Sequence, residues 1–138
     1  MSIFKYNFKK LEDIYIKDIP DTFALNVKKF YEHDPFPNYK IDDTKQSILD
    51  IGNKNFFSRF LKKQISFNKT VCEFGCGTAQ LSNYLAINTN NSIFSVDISI
   101  SSLKKGYNFS KAELEKKNKQ GMKLKDVLSK VWMGGKIK

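Results

Sequence analysis

Residues 71–80 read VCEFGCGTAQ. A short apolar run carrying the acid Glu73 breaks at Gly75 and Gly77 and then resumes as helix-forming sequence, which is the order of a strand, a tight turn and a helix. The polar turn SFNK at 66–69 places the strand over Lys69–Phe74. Beyond the glycines, Leu81, Tyr84 and Leu85 share one face of a helix over about 80–87. NTNN at 88–91 is a turn, and SIFSVD at 92–97 reads as a second short buried strand ending at Asp97.

A strand, a glycine turn, a helix and a second strand with an acid at its end form the first half of a nucleotide-binding α/β fold. Gly75 and Gly77 let the backbone turn sharply and let a ligand approach without a Cβ in the way. The helix points its N-terminal amides at that ligand. Asp97 lies where a carboxylate can accept both hydroxyls of a ribose. The letters argue against two cofactor classes: GCGTAQLS has no Gly-Lys-Ser/Thr for a triphosphate loop, and Gln80 stands where a dinucleotide fingerprint wants a small residue. The pattern left is acid-x-G-x-G-x-A, from Glu73 to Ala79. The alternative is a structural turn that holds no ligand.

VCEFGCGTAQLSNYLA followed by SVDISISSLKKGYNF resembles the first glycine motif and the second-strand acidic motif of class I S-adenosyl-L-methionine-dependent methyltransferases. The upstream FYEHDPFPNY adds a third element in the right order, so the resemblance spans about residues 27–115 and points to a bacterial group of these enzymes. It implies an α/β chain with a partial Rossmann-like methyltransferase fold: N-terminal helices, a β-α-β unit and C-terminal helices. It implies S-adenosyl-L-methionine as cofactor, with the Gly75-Cys76-Gly77 turn at the amino-carboxypropyl part, Glu73 near the ammonium, Asp97 on the ribose and Ile98 beside the adenine. The reaction implied is displacement at the sulfonium methyl by an unidentified small-molecule or other acceptor, with no catalytic base required. Two departures stand out. Ala79 replaces the third glycine, which is mild if its φ is negative and obstructive if positive. After Asp97 the chain has 41 residues and no strand-like run, so it reads as a truncated form, a marginal fragment whose exposed strand edges suit a complementing protein chain.

Around this unit the sequence divides into an N-terminal helical region (1–68), the cofactor-binding half (69–119) and a basic amphipathic helix (120–138). Ile3, Phe4, Tyr6 and Phe8 fit a strand or a loose arm, and the segment to Ile16 stays unassigned. Phe23, Val27, Phe30 and Tyr31 mark a helix capped by Asp21 or Thr22 that stops before HDPFPNY, an aromatic loop whose Phe36, Asn38 and Tyr39 either close over a cofactor or pack as structure. Ile48, Leu49 and Ile51, then Phe56, Phe57, Phe60 and Leu61, predict two short helices split at Gly52 and Asn53. A serine at 99, 101 or 102 caps a helix burying Leu103, Tyr107 and Leu114 and interrupted at Gly121. Leu124, Val127, Leu128, Val131 and Trp132 predict a last helix stopped by Gly134 and Gly135.

The charge is lopsided. Residues 1–103 carry 13 Lys/Arg against 11 Asp/Glu, and residues 104–138 carry 11 Lys against Glu113, Glu115 and Asp126. Such a block can attract a polyanion or be a solvated lysine face, and a non-catalytic module binding a partner through this tail is the rival to an enzyme. Only Arg59 offers a bidentate phosphate grip, which argues against nucleic acid. Cys72 and Cys76 match neither a redox pair nor a metal set, so no metal site is expected; free thiols, with no apolar span or signal segment, point to the cytoplasm. Cys76 reads as a small loop residue, or more sharply as a thiol nucleophile.

Overall fold

The computed structural model describes residues 9–17, 21–119 and 131–133. The arm at 1–8, the segments 120–130 and 134–138, and the burial of Leu114 lie outside the described residues. The chain is mixed α/β, with five helices and two small sheets among the described residues.

A hairpin opens it: β1 (Lys9–Leu11) pairs antiparallel with β2 (Ile14–Ile16), in the stretch the sequence left unassigned. Helix α1 (Thr22–His33) starts where expected, with the Asp21 carboxylate accepting from the Ala24 amide at 2.7 Å. It runs one residue into HDPFPNY before the proline segment ends it. Helix α2 (Lys45–Lys54) begins on a capping box between Thr44 and Ser47. It continues through Gly52 and Asn53, so the expected break there is corrected: α3 (Phe56–Ile65) starts after Asn55, whose side chain accepts from the Ser58 amide at 3.0 Å. Gly52 is a packing contact, because a Cβ there would overlap the Tyr84 ring.

The central unit is β3 (Thr70–Phe74), α4 (Gln80–Ala86) and β4 (Ser92–Val96), with β3 and β4 parallel and Cys72 opposite Phe94. Asn91 locks its lower end: its side chain accepts from the Lys69 amide and donates to the Ser66 carbonyl, both at 2.8 Å. Helix α5 (Ile100–Lys119) follows, with Ser99 as cap, its hydroxyl accepting from the Ser102 amide. Strand β5 (Val131–Met133) pairs parallel with the far side of β4, giving the order β3-β4-β5. This corrects two expectations, that no strand follows Asp97 and that Val131 and Trp132 are helical. The β-branched and aromatic run at 131–133 takes the open edge of β4.

One face of the β3-β4 pair is covered. Ile93 and Val71 pack with Tyr84, Leu85 and Ala86 of α4 and with Ile48 of α2. A second cluster joins Ile14 of the hairpin to Cys76, Ala79 and Leu103, so the glycine turn is backed by β2 and α5. The aromatic positions of α3 do not join either core: Phe56, Phe57 and Phe60 are exposed.

Candidate functional site

The turn between β3 and α4 alternates into the left-handed region three times, at Gly75 (φ 71°), Gly77 (φ 55°) and Ala79 (φ 59°). The two glycines meet different surroundings. A Cβ on Gly75 would find nothing within 4 Å, whereas one on Gly77 would overlap the Phe36 carbonyl oxygen. Gly75 therefore presents backbone to open space, and Gly77 is a glycine because the Phe36–Pro37 segment lies against it.

Most of the amides of this turn are already engaged. The Gly75 and Cys76 amides both donate to the Val96 carbonyl, at 2.8 and 3.1 Å, and the Ala79 amide donates to the Cys76 carbonyl at 2.9 Å. The Gly77 amide donates to Asp97 Oδ2 at 2.7 Å, and the Ser99 amide to Oδ1 at 2.8 Å. A phosphate-binding loop works by aiming free amides at its anion. Here those donors hold protein oxygens instead. Asp97 is oriented by one amide on each oxygen and keeps further lone pairs on both, which a pair of hydroxyls can use.

Glu73 is half-buried and accepts from the hydroxyl of Ser82, which in turn accepts from the Ser95 hydroxyl at 2.6 Å. It also takes the Ser82 amide. Ala79, at the cap position of α4, has no side chain to offer, so Glu73 caps the helix from the strand that precedes it. Burial pushes the Glu73 carboxyl above the usual carboxylate range, the Ser82 bonds oppose this, and the Asp97 charge adds to it. Burial, then Asp97 and Glu73, push the Cys76 thiol up to about 12. A thiol held protonated and 5% exposed suits a small loop residue better than a nucleophile. Among the described residues no cation forms an ion pair with Glu73 or Asp97. The corner is acidic and suits a cationic ligand better than an anionic one.

Above the turn sits the aromatic loop, with a cis bond between Phe36 and Pro37. Thr78 donates its hydroxyl to the Pro37 carbonyl, Tyr39 donates to the Thr78 carbonyl at 2.9 Å, and Gln80 donates to the Asn38 carbonyl at 3.2 Å. Tyr39 also stacks on Phe109 at 4.5 Å. Tyr39 is thus packed structure, while the Phe36 ring stays exposed. Ile98, half-exposed, lies between Asp97 and the cap of α5.

Glu32 is the site's neighbour that the sequence reading missed. From α1 it accepts from the Ile100 amide at 2.5 Å and the Ser101 amide at 3.0 Å, and from the Ser101 hydroxyl. The Ser99 hydroxyl donates to the Tyr31 carbonyl at 3.2 Å. Partial burial pushes the Glu32 carboxyl up, but the bonds from Ser101 and Ile100 together with Lys28 outweigh it and hold it below the usual range. The signal was present in the serine run after Asp97, which needs an acceptor on its amides. A recess of about 370 Å³ opens between Tyr39–Asp43 and the Lys105–Glu113 side of α5, and neither Gly75 nor Asp97 lines it. Among the described residues there is no cluster of three metal-ligating side chains and no helix long and apolar enough to cross a membrane. No protein-family model, curated protein or solved structure matches this chain.

Proposed function

We propose that this chain is the cofactor-binding part of a class I, Rossmann-like methyltransferase that uses S-adenosyl-L-methionine. The observation that carries the reading is the pairing of Gly75, open to space at the end of β3, with Asp97, oriented by two amides at the end of the adjacent parallel strand. The acidic, amide-depleted corner supports it further, since it suits a ligand that brings an ammonium, a sulfonium and a ribose in place of phosphates.

In this role Asp97 holds the ribose hydroxyls with its remaining lone pairs. Glu73 takes the ammonium, and Gly75 lets the amino-carboxypropyl chain lie against the backbone. Ile98 lies against the adenine. The cofactor supplies an electrophilic methyl on a positive sulfur, so the chain has to position and desolvate it, and no residue here is assigned as a base.

Calorimetric titration of the folded protein with S-adenosyl-L-methionine and S-adenosylhomocysteine tests this. Both should bind, ATP and NAD should give no heat, and Asp97→Ala should abolish binding while circular dichroism stays unchanged. Absence of binding by the folded wild type to both methionine-derived ligands removes the proposal.

A further inference from the structure

Helix α3 has two apolar faces. Ser58, Leu61, Lys62 and Ile65 are half-buried at helical spacing, and Leu61 and Ile65 pack against the core of Ile48, Tyr84 and Leu85. The opposite face keeps Phe56, Phe57 and Phe60 in solvent, 73%, 63% and 50% exposed. The three rings form one ridge. Phe56 and Phe60 stack with their centroids 6.2 Å apart, and Phe57 stands one turn from Phe60. Single exposed aromatics are ordinary on a protein surface, but a contiguous apolar ridge rimmed by polar residues marks a place of contact.

The charges on α3, Arg59, Lys62 and Lys63, are all positive. Arg59 and Lys63 are exposed beside the ridge, one turn apart. Of the helices packed on α3, α4 is uncharged, and α2 carries Lys54 next to the start of α3 and Lys45 at its far end. The one acid of the three helices, Asp50, is engaged by the Gln46 side-chain amide at 2.8 Å. Like charges at i and i+4 repel, so Arg59 and Lys63 form an unfavourable pair that an anionic surface relieves. We propose that the outer face of α3 docks on an anionic lipid surface, with the Phe56, Phe57 and Phe60 rings in the headgroup boundary and Lys54, Arg59 and Lys63 against the lipid phosphates. A protein partner fits less well, because protein interfaces enrich aromatics but deplete lysine. A second copy of this chain would bring the same cations together. Single-stranded nucleic acid stacks on open ring faces and favours arginine, whereas two of these rings face each other and the chain has one arginine. The proposal does not depend on which ligand the Gly75 corner takes.

The probe is a vesicle of phosphatidylcholine mixed with phosphatidylglycerol, with phosphatidylcholine alone as control and flotation of the full chain as readout. The chain should float with the anionic vesicles and not with the neutral ones, and added salt should weaken it. The 11 lysines of residues 104–138 can also hold the chain by charge, so the contact of α3 is read separately. Phe57→Ser, at an exposed position that leaves the core intact, should weaken vesicle binding by about tenfold with the unfolding midpoint unchanged. Arg59→Gln with Lys63→Gln tests the same face without touching a ring and should weaken it by about thirtyfold. In bicelles of the same lipids with a nitroxide on the acyl chain, the amides of Phe56, Phe57 and Phe60 in ¹⁵N-labelled protein should broaden most. The proposal is overturned if neither vesicle floats the chain, if both float it equally, if the α3 variants float like the wild type, or if broadening is confined to residues 104–138. A dimer in sedimentation that Phe57→Ser dissociates, or retention of polyuridylate that it abolishes, would assign the ridge to a second copy or to nucleic acid and overturn it too.

Discussion

Gly75 and Gly77 stand two residues apart with nearly the same backbone conformation, yet a methyl added to each should have very different consequences. Both positions have φ in the left-handed region, 71° and 55°. An L-residue there costs roughly 1–2 kcal/mol, and this is common to Gly75→Ala and Gly77→Ala. At Gly75 nothing more is added, because the new Cβ enters open space. At Gly77 the Cβ would occupy the position of the Phe36 carbonyl oxygen, a backbone atom that no rotamer change can move aside. The Phe36–Pro37 segment has to lift. That breaks the Thr78–Pro37 bond and pulls on the bonds from Tyr39 to Thr78 and from Gln80 to Asn38. With each bond worth about 1 kcal/mol net, the extra loss is on the order of 2–3 kcal/mol. Thr78 is fully buried, so its stranded hydroxyl belongs at the upper end of that range.

Urea unfolding followed by circular dichroism measures the difference, with both variants extrapolated on a common slope. Gly75→Ala should shift the midpoint modestly, and Gly77→Ala should lower it further by an amount equal to those extra 2–3 kcal/mol. Equal midpoints for the two variants would mean that the aromatic loop does not rest on the glycine turn, and the account of the site would fail with it.

Three other outcomes follow from particular contacts. Gly52→Ala should destabilise by about 1–3 kcal/mol, because its methyl overlaps the Tyr84 ring and overpacks the α2–α4 contact; an unchanged urea midpoint would contradict this. Glu32→Gln should cost about 1–2 kcal/mol by weakening the cap on α5, and the cost should appear only above the unfolded carboxyl range. The sign is that of a depressed acid: Glu32 adds stability at neutral pH that is lost as pH falls below about 4.5, so wild type and variant should converge in acid. Lys62 lies half-buried with its ammonium on the Tyr84 and Ile87 carbonyls, and burial, then repulsion from Lys45, lower its pKa to about 8. Nuclear magnetic resonance of ¹³C-methylated lysines should show it titrating well before the surface lysines; a midpoint among theirs would refute the burial.

The sequence made the central β-α-β unit legible because each element there carries a local mark: an apolar run, a glycine break, a helical stripe, a second apolar run. The cap at Asp21, one of the two residues offered there, was legible for the same reason. What was not legible depended on partners distant in the chain. The hairpin at 9–16 has strands of three residues, too short for a period to declare itself, and its Ile14 becomes core only because the glycine turn folds onto it. Gly52 looked like a helix break because glycine commonly is one, and only the Tyr84 ring explains its presence inside α2. The run ending at Trp132 has a helical period, yet residues 131–133 are also good strand formers, and the edge of β4 outweighs the local preference. At the site, spacing picked out Glu73 and Asp97, while Ser82 and Ser95 are single polar residues with no pattern to betray them, and Glu32 is signalled only indirectly, by the serine run whose amides it accepts from.

The difference between Ala79 and the glycine that the family resemblance leads one to expect sharpens how the turn works. Ala79 has φ 59°, the obstructive case, and is fully buried against Ile14, Cys76 and Leu103. Its left-handed backbone costs roughly 1–2 kcal/mol. Its buried methyl returns about 0.8 kcal/mol, so the two terms come close to cancelling. The residue lies on the core side of the turn, against β2 and α5, while the open space lies at Gly75. The methyl therefore burdens the scaffold and not the ligand space. A turn built this way tolerates alanine at its third bend, needs glycine at its second for the Phe36 carbonyl, and needs glycine at its first to keep the corner open beside Asp97.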